Sequence, residues 1–224
     1  MSPTPGEDSS LVSASSLQEL ALSGAGLAQI ERFLDDRSAE EQWAQVDGMT
    51  AAAQAALFAI AAAGRPLELR DFVPDNVPDR VPVVHRGWNG LPLPAFARRF
   101  EKPMCRPGDG SARLFGYNEG ATRWLIGPGY FTLHPTAGTE RWIERGAQVV
   151  DYHMEPDGPV ADGWPSVRPN WLGLQLFVYH HTRDFMRRVS GRVTIGRAWK
   201  SLLGAEIPLS AYFVLVRMDP VEQR

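Results

Sequence analysis

The chain has 224 residues, 44% of them hydrophobic and 22% charged, with a formal net charge of −3 and a single cysteine, Cys105. This composition belongs to an ordinary globular protein large enough to bury a core without disulfides or a structural metal, and one cysteine excludes an intrachain disulfide, a Cys-rich zinc site and an iron–sulfur cluster built by this chain alone. Residues 1–79 hold 13 acidic and 4 basic side chains, residues 80–224 hold 13 acidic and 19 basic, so the two parts are expected to attract each other.

The basic residues are 21 Arg and two Lys, Lys102 and Lys200, a ratio that reads as the codon usage of a GC-rich bacterial genome. No strong basic excess and no recognition module speaks for nucleic acid. The first 16 residues lack the basic and apolar regions of a signal peptide. The longest apolar run, 51–63, contains Gln54 and is too short to span a bilayer. The expectation is a cytoplasmic, soluble protein that engages neither nucleic acid nor membrane.

Residues 1–14, rich in Ser and Pro, read as a disordered tail. Residues 15–66 read as a helical unit. Leu17, Leu20 and Ala21, then Leu27, Ile30, Phe33 and Leu34, recur at helical spacing, and Gly24 and Gly26 divide them into two helices. Ser38 followed by Glu41 forms a capping box for a third helix carrying Trp43 and Val46. Thr50 caps a fourth over 51–63, with Leu57, Phe58 and Ile60 on its apolar face and Gly64 and Pro66 ending it.

Seven prolines punctuate residues 67–110, which read as a wrapping segment. Residues 111–224 read as an antiparallel β domain with short strands at 114–117, 123–126, 130–134, 148–154, 174–180, 192–199 and 212–218. Residues 182–189 fit a short helix or a strand equally. The expected fold class is α+β, an N-terminal helical unit packed on a C-terminal antiparallel β-sheet or partial barrel. Phe131, Val149, Phe177, Ile195, Phe213 and Leu215 are the expected core of that domain.

Strand alternation sends Asp151 and His153 to one face, where a carboxylate and an imidazole can share a proton. With His134, His180 or His181 they would suffice for a metal, but the order is the reverse of the usual His-x-Asp and no metal is assigned. Tyr130, following a Gly127-Pro128-Gly129 turn, joins Asp151 and His153 as the catalytic candidates. Trp164 and Trp171, in a proline-restrained loop, offer flat apolar faces to a ligand, while Arg187 and Arg197 offer paired donors to an anion. Whether a cofactor takes part is left unknown. The reading is a small-molecule-binding protein for an anionic or amphipathic ligand, with catalysis left open. The competing reading is a protein–protein interaction module that docks through the acidic N-terminal helices.

Overall fold

A computed structural model describes residues 16–202 and 204–219, so the tail expected over residues 1–14 lies outside the described residues. Four helices come first: α1 (Leu17–Leu22), α2 (Leu27–Asp35), α3 (Ala39–Val46) and α4 (Ala51–Ile60). Their starts are set by side chains that satisfy free N–H groups. Ser16 accepts from Glu19, Thr50 accepts from Ala53, and Ser38 with Glu41 makes the reciprocal box expected from the sequence.

Among the described residues nine strands follow: β1 (Val83–Asn89), β2 (Arg99–Cys105), β3 (Leu114–Gly116), β4 (Glu119–Gly120), β5 (Phe131–Pro135), β6 (Gln148–Asp151), β7 (Thr182–Arg188), β8 (Val193–Leu202) and β9 (Ala205–Arg217). They pair antiparallel in the order β1-β9-β8-β7-β6-β5-β3-β2, and β2 returns to β1, closing an eight-stranded barrel. The remaining strand, β4, continues the line of β3 along β2 after a break at Tyr117 and Asn118. Closure removes the exposed edges an open sheet would carry.

The structure differs from the sequence reading in three places. The stretch read as a wrapping segment contains β1 and β2, two full members of the barrel. Residues 123–126 and 174–180, expected as strands, instead hold single helical turns, Arg123–Ile126 and Gln175–Val178. Phe177, expected in the core, is 75% exposed on the second of these turns. The ambiguous segment 182–189 is strand β7.

Inside the barrel, three cross-strand pairs put a glycine opposite a phenylalanine: Gly87 with Phe100, Gly116 with Phe131 and Gly196 with Phe213. A Cβ on any of these glycines would lie about 2.4 Å from the partner ring, so each ring lies flat over backbone that only glycine leaves bare. With Met104, Leu133, Val150, Met186 and Leu215 these rings form the interior core, which Leu67, Phe72 and Val73 close at one end.

The outer face of β1, β8 and β9 carries a second core. Trp88, Val193, Ile195, Val214 and Val216, with Val189 after β7, meet Leu17, Leu20, Ile30, Leu34, Val46, Leu57 and Phe58 from the helices. The charge asymmetry is realised in the same contact, since Arg86 meets Glu40 at 2.7 Å, Arg99 meets Asp47 at 2.6 Å and Arg188 pairs with Glu31. The helical unit is thus packed on the barrel by apolar contact with ionic pairs around it. Among the described residues no helix is long and apolar enough to cross a membrane.

Candidate functional site

One barrel end is closed and the other is open. A cavity of about 500 Å³ enters at the open end, between the tops of β1, β2, β7, β8 and β9 and the helical turns 123–126 and 175–178. Its rim is apolar, with Leu91, Leu93, Ile126, Phe177, Val178 and Leu209, and its wall includes Phe100, Tyr212 and Phe213.

The floor is polar. On β2 the inward positions run Phe100, Lys102, Met104, so alternation aims the Lys102 side chain into the barrel, where it is 2% exposed. Its Nζ donates to the Tyr152 hydroxyl at 2.5 Å and stands 3.5 Å from the Asp184 carboxylate. Phe131, Tyr152, Phe213 and Phe100 surround the same nitrogen, with ring centroids 4.7, 5.0, 5.1 and 5.8 Å away. Asn118, aimed inward by the break between β3 and β4, donates to the Tyr152 hydroxyl at 3.0 Å, and Tyr179 stacks on the Tyr152 ring at 5.2 Å.

This environment favours neutral forms. Burial pushes the Lys102 ammonium down to about 8 despite the opposing charge of Asp184. Burial likewise raises the Asp184 carboxyl, and it raises the Tyr152 phenol well above the ordinary range. A proton donor, a proton acceptor and an amine with a reduced hold on its proton therefore converge where an apolar molecule would end.

The residues singled out from the sequence lie elsewhere on the barrel. Asp151 is 1% exposed on the side of β6 opposite Tyr152, and neither it nor His153 lines this cavity. Asp151 accepts from His153 Nδ1 at 2.9 Å and from Arg183 Nε at 2.8 Å, while His134 Nε2 stands at 3.8 Å. His181 Nδ1 lies 3.2 Å from His153 Nε2, and Arg183 continues to Glu206 at 3.1 Å. Burial alone would raise the Asp151 carboxyl, but the His134 and His153 imidazoles and the Arg183 guanidinium outweigh it and hold the group far below the usual range. Among the described residues no group of three His, Cys, Asp or Glu side chains is placed to hold a metal ion.

Tyr130 is fully buried, donates to the Pro165 carbonyl, and packs with Tyr117 and Trp164 outside β2 and β3. Asn170 staples the loop that carries Trp164 and Trp171 by donating to the carbonyls of Tyr130 and Tyr152 at 2.7 and 2.8 Å, and Trp171 is 58% exposed. Arg187 gives its donors to three carbonyls, of Phe58, Glu144 and Arg145, and Arg197 donates to that of Leu209. Cys105 is buried and its thiol is pushed up to about 11 by burial, which leaves it unreactive.

Replacing Asp151 by Asn should cost about 2 kcal/mol at pH 7, the worth of charge-assisted hydrogen bonds lost from a buried acceptor. Because the folded-state value of this carboxyl is depressed, its stabilisation is present above about pH 4 and fades as pH falls through the acid range. The variant's deficit in urea denaturation should accordingly shrink between pH 5 and pH 2. A deficit that stays constant with pH would mean that packing, not charge, holds Asp151 in place.

The sequence reasoning missed Lys102, Tyr152 and Asp184 as a group. A signal was present: both lysines of a chain with 21 arginines line this one cavity. Comparison with known proteins adds nothing to the geometry, since no family model, curated protein or solved structure matches the chain.

Proposed function

We propose that the barrel binds an amphipathic small molecule, its apolar body in the open end and its polar head against Lys102, Tyr152 and Asn118. The observation that carries this reading is a cavity of about 500 Å³ with an apolar rim, in which Lys102, Tyr152 and Asn118 converge on one point. Without a ligand the mouth leaves Phe177 exposed and Phe100 half-buried to water. With Lys102, Lys200 and Asp184 as the ionisable pairing partners in the wall, the site favours a neutral or anionic head over a cationic one. The docking reading of the helices draws no comparable support, because the apolar faces of α1 to α4 are already buried on the barrel.

Filling the cavity tests the reading. Ala211 lines the cavity from β9, and Ala211→Trp should weaken binding of a fluorescent naphthylamine probe by at least about tenfold, since a bulky side chain takes the ligand's volume. Native mass spectrometry of freshly purified protein should also show an organic adduct in the parent that the variant lacks. Equal probe binding by a folded Ala211→Trp variant would remove the cavity from consideration.

A further inference from the structure

Resting on that cavity as a binding site, we propose that Lys102 is a covalent anchor for a carbonyl-bearing amphipathic ligand, an aldehyde or ketone held as an imine at the barrel floor.

Residue choice is the first argument. Arginine fills 21 of the 23 basic positions of this chain, and the two lysines are both on the wall of one cavity. An ion pair with Asp184 or an ammonium among aromatic rings could be made by either residue, and Arg stacks on rings at least as well as Lys. What lysine does and arginine cannot is shed its proton near neutral pH and present a nucleophilic nitrogen lone pair.

Geometry is the second argument. Lys102, a lining residue of the cavity, holds its Nζ among four aromatic rings, with the Tyr152 hydroxyl at 2.5 Å and the Asp184 carboxylate at 3.5 Å. Asp184 takes a proton from the ammonium, and the freed amine attacks the carbonyl carbon. A C–N bond forms and the carbonyl electron pair moves to oxygen, which receives a proton through the Tyr152 hydroxyl. The first N–H proton restores the Tyr152 hydroxyl, the proton held by Asp184 passes to the new hydroxyl, which departs as water, and the second N–H proton returns to Asp184, leaving the C=N bond. The sum is amine plus carbonyl giving imine plus one water, with nothing oxidised or reduced. Apolar walls limit the water available to reverse it.

The same wall supplies an internal comparison. Lys200 on β8 donates to the His180 carbonyl at 2.6 Å and to Thr182 Oγ1 at 3.2 Å, acceptors that occupy its ammonium at the rim. The titratable groups on the cavity are Asp184 from β7, Tyr152 after β6, Tyr179 beyond the rim turn, and Lys200 and Tyr212 from β8 and β9. From β5 and β9 the side chains packed on Lys102 are Phe131 and Phe213, which carry no charge.

The test uses the full chain with dodecanal and cyanoborohydride, which reduces an imine to a stable secondary amine, followed by intact mass and peptide mapping. In parallel, dodecanol, with the same chain and no carbonyl, displaces the naphthylamine probe. The expected result is one alkyl group per chain on Lys102 and displacement of the probe by dodecanol in the parent, with no alkyl group at position 102 in Lys102→Arg. In the parent, the trapping rate should rise through about pH 8, where Lys102 loses its proton, and not through the value of about 10.4 of a free lysine. That profile needs no variant, so a Lys102→Arg protein that failed to fold would not rescue the idea. Displacement by dodecanol with no adduct, or with adduct spread over Lys200 and the α-amine, overturns the imine and leaves binding standing. Neither displacement nor adduct overturns both.

Discussion

Asp184→Asn should lower stability by about 3–5 kcal/mol at pH 7, the usual cost of leaving one member of a buried ion pair without its partner. Asp184 and Lys102 have side chains 7% and 2% exposed, so water cannot take over the lost interaction. The cost has a ceiling set by the proton. An unpaired Lys102 can always become neutral, and doing so at pH 7 costs about 5 kcal/mol relative to an unfolded lysine of ordinary value. At pH 9.5 the same step costs only about 1 kcal/mol, so the variant's deficit should shrink as pH rises.

The parent has a matching slope. Its folded-state Lys102 is depressed to about 8, so between there and about 10.4 the unfolded chain holds more protons and stability climbs with pH. The double variant Lys102→Met, Asp184→Leu should recover to within about 1–2 kcal/mol of the parent, because an apolar pair of similar volume needs no solvation. Urea midpoints of parent, single and double variants at both pH values decide the matter. Equal deficits for single and double variants at both pH values would show that packing around the pair, not its charge, was disturbed.

The parts of the fold that sequence made legible are those written in local chemistry. Ser16, Ser38 and Thr50 mark helix starts because a free N–H needs a nearby acceptor, and that requirement is visible within four residues. Phe213 and Leu215, expected in the core of the β domain, face inward on β9, while Ile195, expected in the same core, lies on the outer face of β8 under the helices with Val214 and Val216. The docking of helices on barrel followed from the charge imbalance.

What sequence hid depends on partners far along the chain. Pro103 made β2 look like coil, yet its carbonyl accepts from Tyr117, so its missing N–H faces the break between β3 and β4, where there is no ladder to join. Residues 123–126 and 174–180 read as strands because short apolar runs do not distinguish strand from helical turn. In the structure they are rim, and Trp124 and Phe177 are 82% and 75% exposed. Lys102 entered the sequence reading only as one of two lysines among 21 arginines, since only barrel closure brings it to Tyr152, 50 residues away in the chain. The failures gather at the open end of the barrel, where the local pattern serves the cavity rather than the core.

Removing the helical unit should have the largest effect of all. A chain beginning near Leu67 would uncover Trp88, Val189, Val193, Ile195, Val214 and Val216, each no more than 3% exposed in the intact protein. At about 1.5–3 kcal/mol for each buried side chain of this size, the barrel side alone loses on the order of 10 kcal/mol, as much as the whole net stability of a typical domain. Polar contacts go with it. Trp88 Nε1 loses the Met49 carbonyl at 2.9 Å, Arg187 loses that of Phe58, and Arg86, Arg99 and Arg188 lose Glu40, Asp47 and Glu31. The truncated chain should therefore appear in the insoluble fraction, and residues 16–64 supplied as a separate segment should recover soluble barrel, since the interface is complete in both pieces. The readouts are the soluble fraction on expression and near-ultraviolet circular dichroism of any recovered protein. A truncated chain that is monomeric, gives the native aromatic spectrum and unfolds cooperatively would show that the barrel stands alone. The face of β1, β8 and β9 would then be a surface the helices cover without being required by it.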